Sequence, residues 1–138
     1  MRRLAAAFAQ SAAFSVVLTS CHPFGCGSWR CVYEHQYTGG KRCNAVLAAS
    51  LEIVRNTPLP PGSQYDAGAI QSELLGVDDI LVSGARLGMS RDAVYKDLDQ
   101  AKNAYLQAYA ARKGDPHQKL VALFGDVNEC LPHSKPND

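Results

Sequence analysis

The sequence predicts a mainly α fold: a small bundle of four or five helices stapled by two disulfides, with a Cys/Gly-rich loop on its N-terminal side. Three observations predict it. Apolar residues recur at three- and four-residue spacing through most of the stretch from 41 to 131, the period of a helix with one buried face. Capping residues stand ahead of the periodic segments and Gly or Pro follows them, as helix ends require. Five cysteines are present, Cys21, Cys26, Cys31, Cys43 and Cys130, and setting Cys21 aside leaves an even set of four, as a disulfide framework needs.

In chain order, residues 21–40 carry Pro23, Gly25, Gly27, Gly39 and Gly40 among three cysteines, which is loop chemistry. Within them Val32 and Tyr33 favour a short strand over Arg30 to His35. From Lys41 the period changes: Cys43, Leu47, Leu51 and Val54 form one stripe of a helix ending near Asn56. Thr57 to Gly62 holds three prolines, which lack donors and push their predecessors out of the helical region, so an extended connector follows.

Asp66 caps a second helix through Leu75, with Ala67, Ile70 and Leu74 on one face and Gly76 placed to end it. Asp78 and Asp79 suit the start of a third helix reaching Leu87, although Ile80-Leu81-Val82 fits a helix or a strand equally well by periodicity. Ser90 is the natural N-cap of a long helix to Lys113, carrying Val94, Leu98, Ala101 and Tyr105 at helical spacing and closed by Gly114. Asp115 and Pro116 open the last helix, in which Leu120, Leu123, Phe124 and Val127 form the apolar face ahead of Cys130. Leu131-Pro132 breaks it, leaving 132–138 as a frayed tail.

Four cysteines allow three pairings. The short separation of Cys26 and Cys31 suits a local bridge, which leaves Cys43 with Cys130, one near the start of the first helix and one at the end of the last. In the loop-closure view such a long bridge is worth roughly 4 kcal/mol.

Ahead of the domain, Met1-Arg2-Arg3 precedes a mostly apolar run from Leu4 to Leu18 and a small-residue junction, the layout of a secretory signal peptide over 1–20. The run is short of the roughly 20 apolar residues that span a bilayer. Leu18-Thr19-Ser20-Cys21 resembles the lipobox of bacterial lipoproteins. That resemblance implies cleavage before Cys21, lipidation of Cys21 with chains such as palmitate, and a place in the cell envelope, facing the periplasm or on the outer membrane. His22, rather than an aspartate, follows the cysteine, and by the same resemblance this favours the outer membrane.

Several function classes are disfavoured. Without residues 1–20, Lys plus Arg falls from 14 to 12 against 13 Asp plus Glu, a net charge of −1, so the clustered basic face that nucleic acid requires is not expected. Cys26, Cys31, His35 and Cys43, with His22 nearby, have zinc-ligand chemistry. They lack a Cys-x-x-Cys knuckle, and exported cysteines are more often oxidised than metallated. His22, His35, His117 and His133 fall in loops, a first turn or the tail, where solvated side chains are the ordinary outcome. No nucleophile elbow, His-Glu-x-x-His or phosphate loop occurs, and adjacent Asp78 and Asp79 diverge by about 100° on a helix and cannot act as a dyad. The expectation is a non-enzyme with no metal and no cofactor.

What stands out is aromatic: Trp29, Tyr33 and Tyr37 in the Cys-rich segment, and Tyr95, Tyr105 and Tyr109 on the long helix. Tyr and Trp are enriched at recognition surfaces; at helical spacing they also line cores, as expected for Tyr105. Trp29, Tyr33, Tyr37 and Tyr109 are the partner-binding candidates. The expected function is a lipid-anchored envelope binding module, similar to inhibitors and immunity proteins acting on a cell-wall enzyme or toxin. The alternative is a structural or assembly subunit of a larger envelope or secretion complex.

Overall fold

The computed structural model describes residues 27–63 and 65–131, which form five α-helices: α1 (Trp29–Asn56), α2 (Ala67–Glu73), α3 (Val77–Arg86), α4 (Arg91–Ala111) and α5 (Pro116–Cys130). The mainly helical expectation holds, and no strand occurs among the described residues. Helix α1 is the spine. Its 28 residues run about 42 Å at 1.5 Å per residue, and α2, α3, α4 and α5 all pack against it.

The strand expected at Arg30 to His35, and the loop expected to last to residue 40, are both replaced by the first three turns of α1. Ser28 is the reason the helix starts here: its extended backbone and its hydroxyl, accepting from the Cys31 amide, make an N-cap. Gly39 and Gly40 lie inside the helix rather than ending a loop. A Cβ on Gly40 would lie 2.8 Å from Ile80 Cγ1, so this glycine lets α3 approach the spine. Gly84 of α3 gives α4 a similarly close approach, since a Cβ there would lie 2.5 Å from Val94 Cγ2.

The remaining caps follow expectation at the sequence level. Asp66 accepts from the Ala69 amide and Ser90 from the Ala93 amide, while Asp115 and Gln118 form a reciprocal capping box behind Pro116. Gly114 has φ +117, a backbone that favours glycine. Gly76 departs from expectation: it does not take the left-handed conformation of a helix-ending glycine, but has φ −83, and a 3₁₀ turn at Leu74–Gly76 carries α2 directly into α3.

Two apolar cores lie along the spine. The larger joins Val46, Leu47, Leu51 and Val54 of α1 to Tyr65, Ile70 of α2 and Leu120, Leu123 and Val127 of α5. The smaller joins Tyr37 of α1 to Ile80 of α3 and Val94 and Leu98 of α4. Cys43 and Cys130 form the expected disulfide, closing 87 residues with their Cα atoms 5.2 Å apart, well within bridging distance. It is the one disulfide described; the pairing expected for Cys31 falls on Cys26, outside the described residues. Residues 1–20, expected to be a signal peptide, Cys21, His22 and residues 132–138 also lie outside them.

Candidate functional site

Alongside α1, facing α3, runs a groove with a cavity of about 540 Å³. Helix α1 lines it with Gln36, Gly40, Cys43, Asn44 and Leu47; the α2–α3 junction contributes Glu73, Leu74 and Gly76; α3 contributes Asp79, Ile80, Val82 and Ser83. Cys130, at the end of α5, closes one end, so the disulfide is part of the wall. The volume is that of an ordinary small-ligand or side-chain-accepting cleft.

Helical geometry sets what the groove presents. Positions 29, 33, 36, 40 and 44 are spaced by four, three, four and four residues, one face of a helix. Trp29 and Tyr33 therefore continue the stripe that lines the cavity, reaching about 20 Å beyond the disulfide end. Trp29 is 80 % exposed. Tyr33 is half-buried, with the Arg86 guanidinium of α3 6.0 Å from its ring centre, a cation–π contact across the two groove walls. Ser83, almost fully buried, donates a long hydrogen bond of 3.5 Å to Gln36 Oε1.

The groove is polar at its rim and apolar at its base. Leu47 and Ile80 are buried, while Val82 is 56 % exposed. Among the described residues its ionisable lining groups are Glu73 and Asp79, and no Lys, Arg or His lines it. Neither carboxylate is paired with a cation among the described residues, whereas six ion pairs form elsewhere. A second, smaller cavity of about 220 Å³ lies between the Pro60-Pro61 connector and α5, walled mostly by apolar groups including Leu120, Val121 and Phe124.

Behind the groove the aromatic residues do structural work through two similar clusters. Tyr37 donates to Asp97 Oδ2 at 2.7 Å, and Lys41 donates to the same oxygen at 3.0 Å with its ammonium 5.6 Å from the Tyr37 ring centre. Tyr105 and Arg112 likewise share Asp126 Oδ2, and the guanidinium lies 5.6 Å from the Tyr105 ring and 5.8 Å from that of Tyr109. Burial, reinforced by the carboxylate each hydroxyl contacts, raises both Tyr37 and Tyr105 well above the ordinary phenol range. Asp97 is held low chiefly by the Tyr37 hydrogen bond, with Lys41 assisting against burial. At Asp126 burial pushes upward most strongly as a single cause, yet the hydrogen bonds from Tyr105 and Arg112, with the charges of Arg112 and Arg42, outweigh it and the carboxyl is lowered.

These contacts sort the partner-binding candidates. Trp29 and Tyr33 lie on the groove stripe. Tyr37 belongs to the smaller core at 6 % exposure, its ring held by Asp97 and Gly84, so it offers a partner no surface; the ring expected in a loop is instead turned inward by the helix. Tyr109 is half-buried, packed against the larger core and under Arg112, away from the groove. Among the cysteines, Cys43 and Cys130 meet at the groove's end, Cys31 sits on α1, and Cys21 and Cys26 lie outside the described residues. His35 and His117 are exposed, the former on α1 and the latter in the first turn of α5.

Sequence reasoning passed over Gln36, Asn44 and Glu73, and read Asp79 only as an acid at the start of a helix. The signal for the first two was available, because the Cys43–Leu47 stripe continues backwards through Gly40 and Gln36 to Tyr33 and Trp29. Comparison with protein-family models, curated proteins and solved structures finds no match to this chain.

Proposed function

We propose that the protein is an exported, lipid-anchored envelope binding module that engages an envelope protein through the α1–α3 groove. The reading rests on one observation above others: a groove between α1 and α3 whose α1 wall is fastened to α5 by the Cys43–Cys130 bridge, with the exposed Trp29 further along the same face of α1. A long-range disulfide belongs with an oxidising compartment, which agrees with the Met1-Arg2-Arg3 leader and the lipobox-like Leu18-Thr19-Ser20-Cys21. A preformed cleft reduces the ordering cost of association, and a large exposed ring beside it can anchor a partner.

Two measurements test the reading. Metabolic labelling with palmitate should mark the wild-type protein and not Cys21→Ser; an unlabelled wild type removes the anchor. The soluble domain from residue 22 should capture its envelope partner, and Trp29→Ala and Tyr33→Ala should each weaken capture by more than about 1 kcal/mol with helical circular dichroism intact. Normal capture by both variants would move the binding surface off the groove. An inhibitor changes the rate of the enzyme it captures, whereas an assembly subunit co-purifies with a complex and alters no rate.

A further inference from the structure

We infer that the groove is built for a cationic segment, an Arg- or Lys-bearing stretch of a protein partner whose side chain enters between α1 and α3. This rests on the reading of the groove as the binding surface and specifies what enters it. Charge complementarity carries it. Among the described residues Glu73 and Asp79 both line the cavity, no basic residue does, and neither carboxylate has an ion-pair partner. Nearby cations are committed elsewhere: Lys41 to Asp97, Arg42 to Glu129 at 2.9 Å and Arg86 to the Tyr33 ring.

The two carboxylates are not explained by helix-start electrostatics alone. Glu73 is the last residue of α2, where the helix dipole disfavours a negative charge. Asp78 and Asp79 both lie in the first turn of α3, but only Asp79 lines the cavity. The rest of the cavity suits the same ligand. The amides of Gln36 and Asn44 can accept from a guanidinium or ammonium, and Leu47 and Ile80 give the aliphatic stem an apolar base.

The test uses the soluble domain and two fluorescent hexapeptides, one alternating Leu and Arg, the other alternating Leu and Glu. The Arg peptide should bind with an affinity that falls as salt rises, and the Glu peptide should not. Glu73→Gln combined with Asp79→Asn should weaken binding about tenfold, the product of two modest ion pairs. Asp78→Asn removes one negative charge a residue away from Asp79 and should leave binding unchanged. The inference is overturned if the Arg peptide fails to bind at about 1 mM, if both peptides bind alike, or if Asp78→Asn weakens binding as much as the double substitution. Partner capture that depends on Trp29 and Tyr33 but not on Glu73 and Asp79 would overturn the cationic ligand and leave the binding surface standing. Capture indifferent to all four would remove both.

Discussion

The two halves of α1 are stabilised by different means. The C-terminal half sits in a nine-residue buried core with α2, Tyr65 and α5, in which Leu123 and Val127 are fully inaccessible, and the Cys43–Cys130 bridge fastens its edge. The N-terminal half rests on four buried residues, Tyr37, Ile80, Val94 and Leu98, and depends on close backbone approach at Gly40 and Gly84. Each half carries a Tyr–Asp–cation cluster, Tyr37–Asp97–Lys41 in one and Tyr105–Asp126–Arg112 linking α4 to α5 beside the other. The polar device is thus common to both; apolar area and covalent closure separate them. Buried apolar area dominates stability, so the N-terminal half, which forms the open end of the groove, is the part expected to yield first.

Removing the fastening tests the stronger half. Cys130→Ala should cost about 2 to 5 kcal/mol, the range for a long-loop bridge in a small domain, read as a lower urea midpoint. An unchanged midpoint would mean the apolar contacts of α5 suffice, and the contrast between the halves would rest on area alone.

The weaker half is tested by filling its contact. Gly84→Ala forces a methyl against Val94, which is 1 % exposed, and overpacking of this kind costs about 1 to 3 kcal/mol. Hydrogen exchange should then speed up in residues 29–40 and α3 before α5. Gly39 is the opposite case: a Cβ there meets nothing within 4 Å. Gly39→Ala should therefore raise stability by about 1 kcal/mol, the difference in helix propensity, visible as a higher melting temperature. Destabilisation by Gly39→Ala would show that the first turns of α1 are not held as a helix.

The smallest expected effect concerns pH and should appear in both halves. Asp97 and Asp126 are lowered in the folded state, so their contribution is present above the ordinary carboxyl value near about 4 and is lost as pH falls through the folded-state values. Tyr37 and Tyr105 are raised, so theirs is complete below the ordinary phenol value near about 10 and is lost as pH rises through the folded-state values. Melting temperature against pH should fall at both extremes, with Asp97→Asn and Asp126→Asn each flattening part of the acid limb. An acid limb unaltered by either substitution would show that the paired carboxylates are not its source.

Much of the helical scaffold was legible because caps and periodicity act locally. Ser90 and the Asp115–Gln118 box mark the starts of α4 and α5 through hydrogen bonds made within three residues. The Cys43–Cys130 bridge was reached by elimination, once the short separation of Cys26 and Cys31 set those two aside. The first three turns of α1 were hidden by Gly39 and Gly40, which carry a loop signature in sequence; Gly40 is explained by Ile80, forty residues away in the chain. Tyr37 was misread for the same reason, since a loop residue points anywhere and a helical one points where its register sends it. The groove was legible only along its α1 wall. Glu73 and Asp79 come together through the 3₁₀ turn that carries α2 into α3, where Gly76 signals a stop rather than a continuation.

The arrangement of the cores along α1 also sets an order of assembly. The smaller core is complete once Leu98 is available, whereas the larger needs residues up to Val127, and the bridge needs Cys130. A chain made or threaded from its N-terminus therefore holds the apolar stripe of Val46, Leu47, Leu51 and Val54 without α5 until nearly its last described residue has emerged. Long-range closure of this kind is slow compared with local helix formation, so α5 docking is expected to come late in folding, with the Cys43–Cys130 bridge able to close only after it.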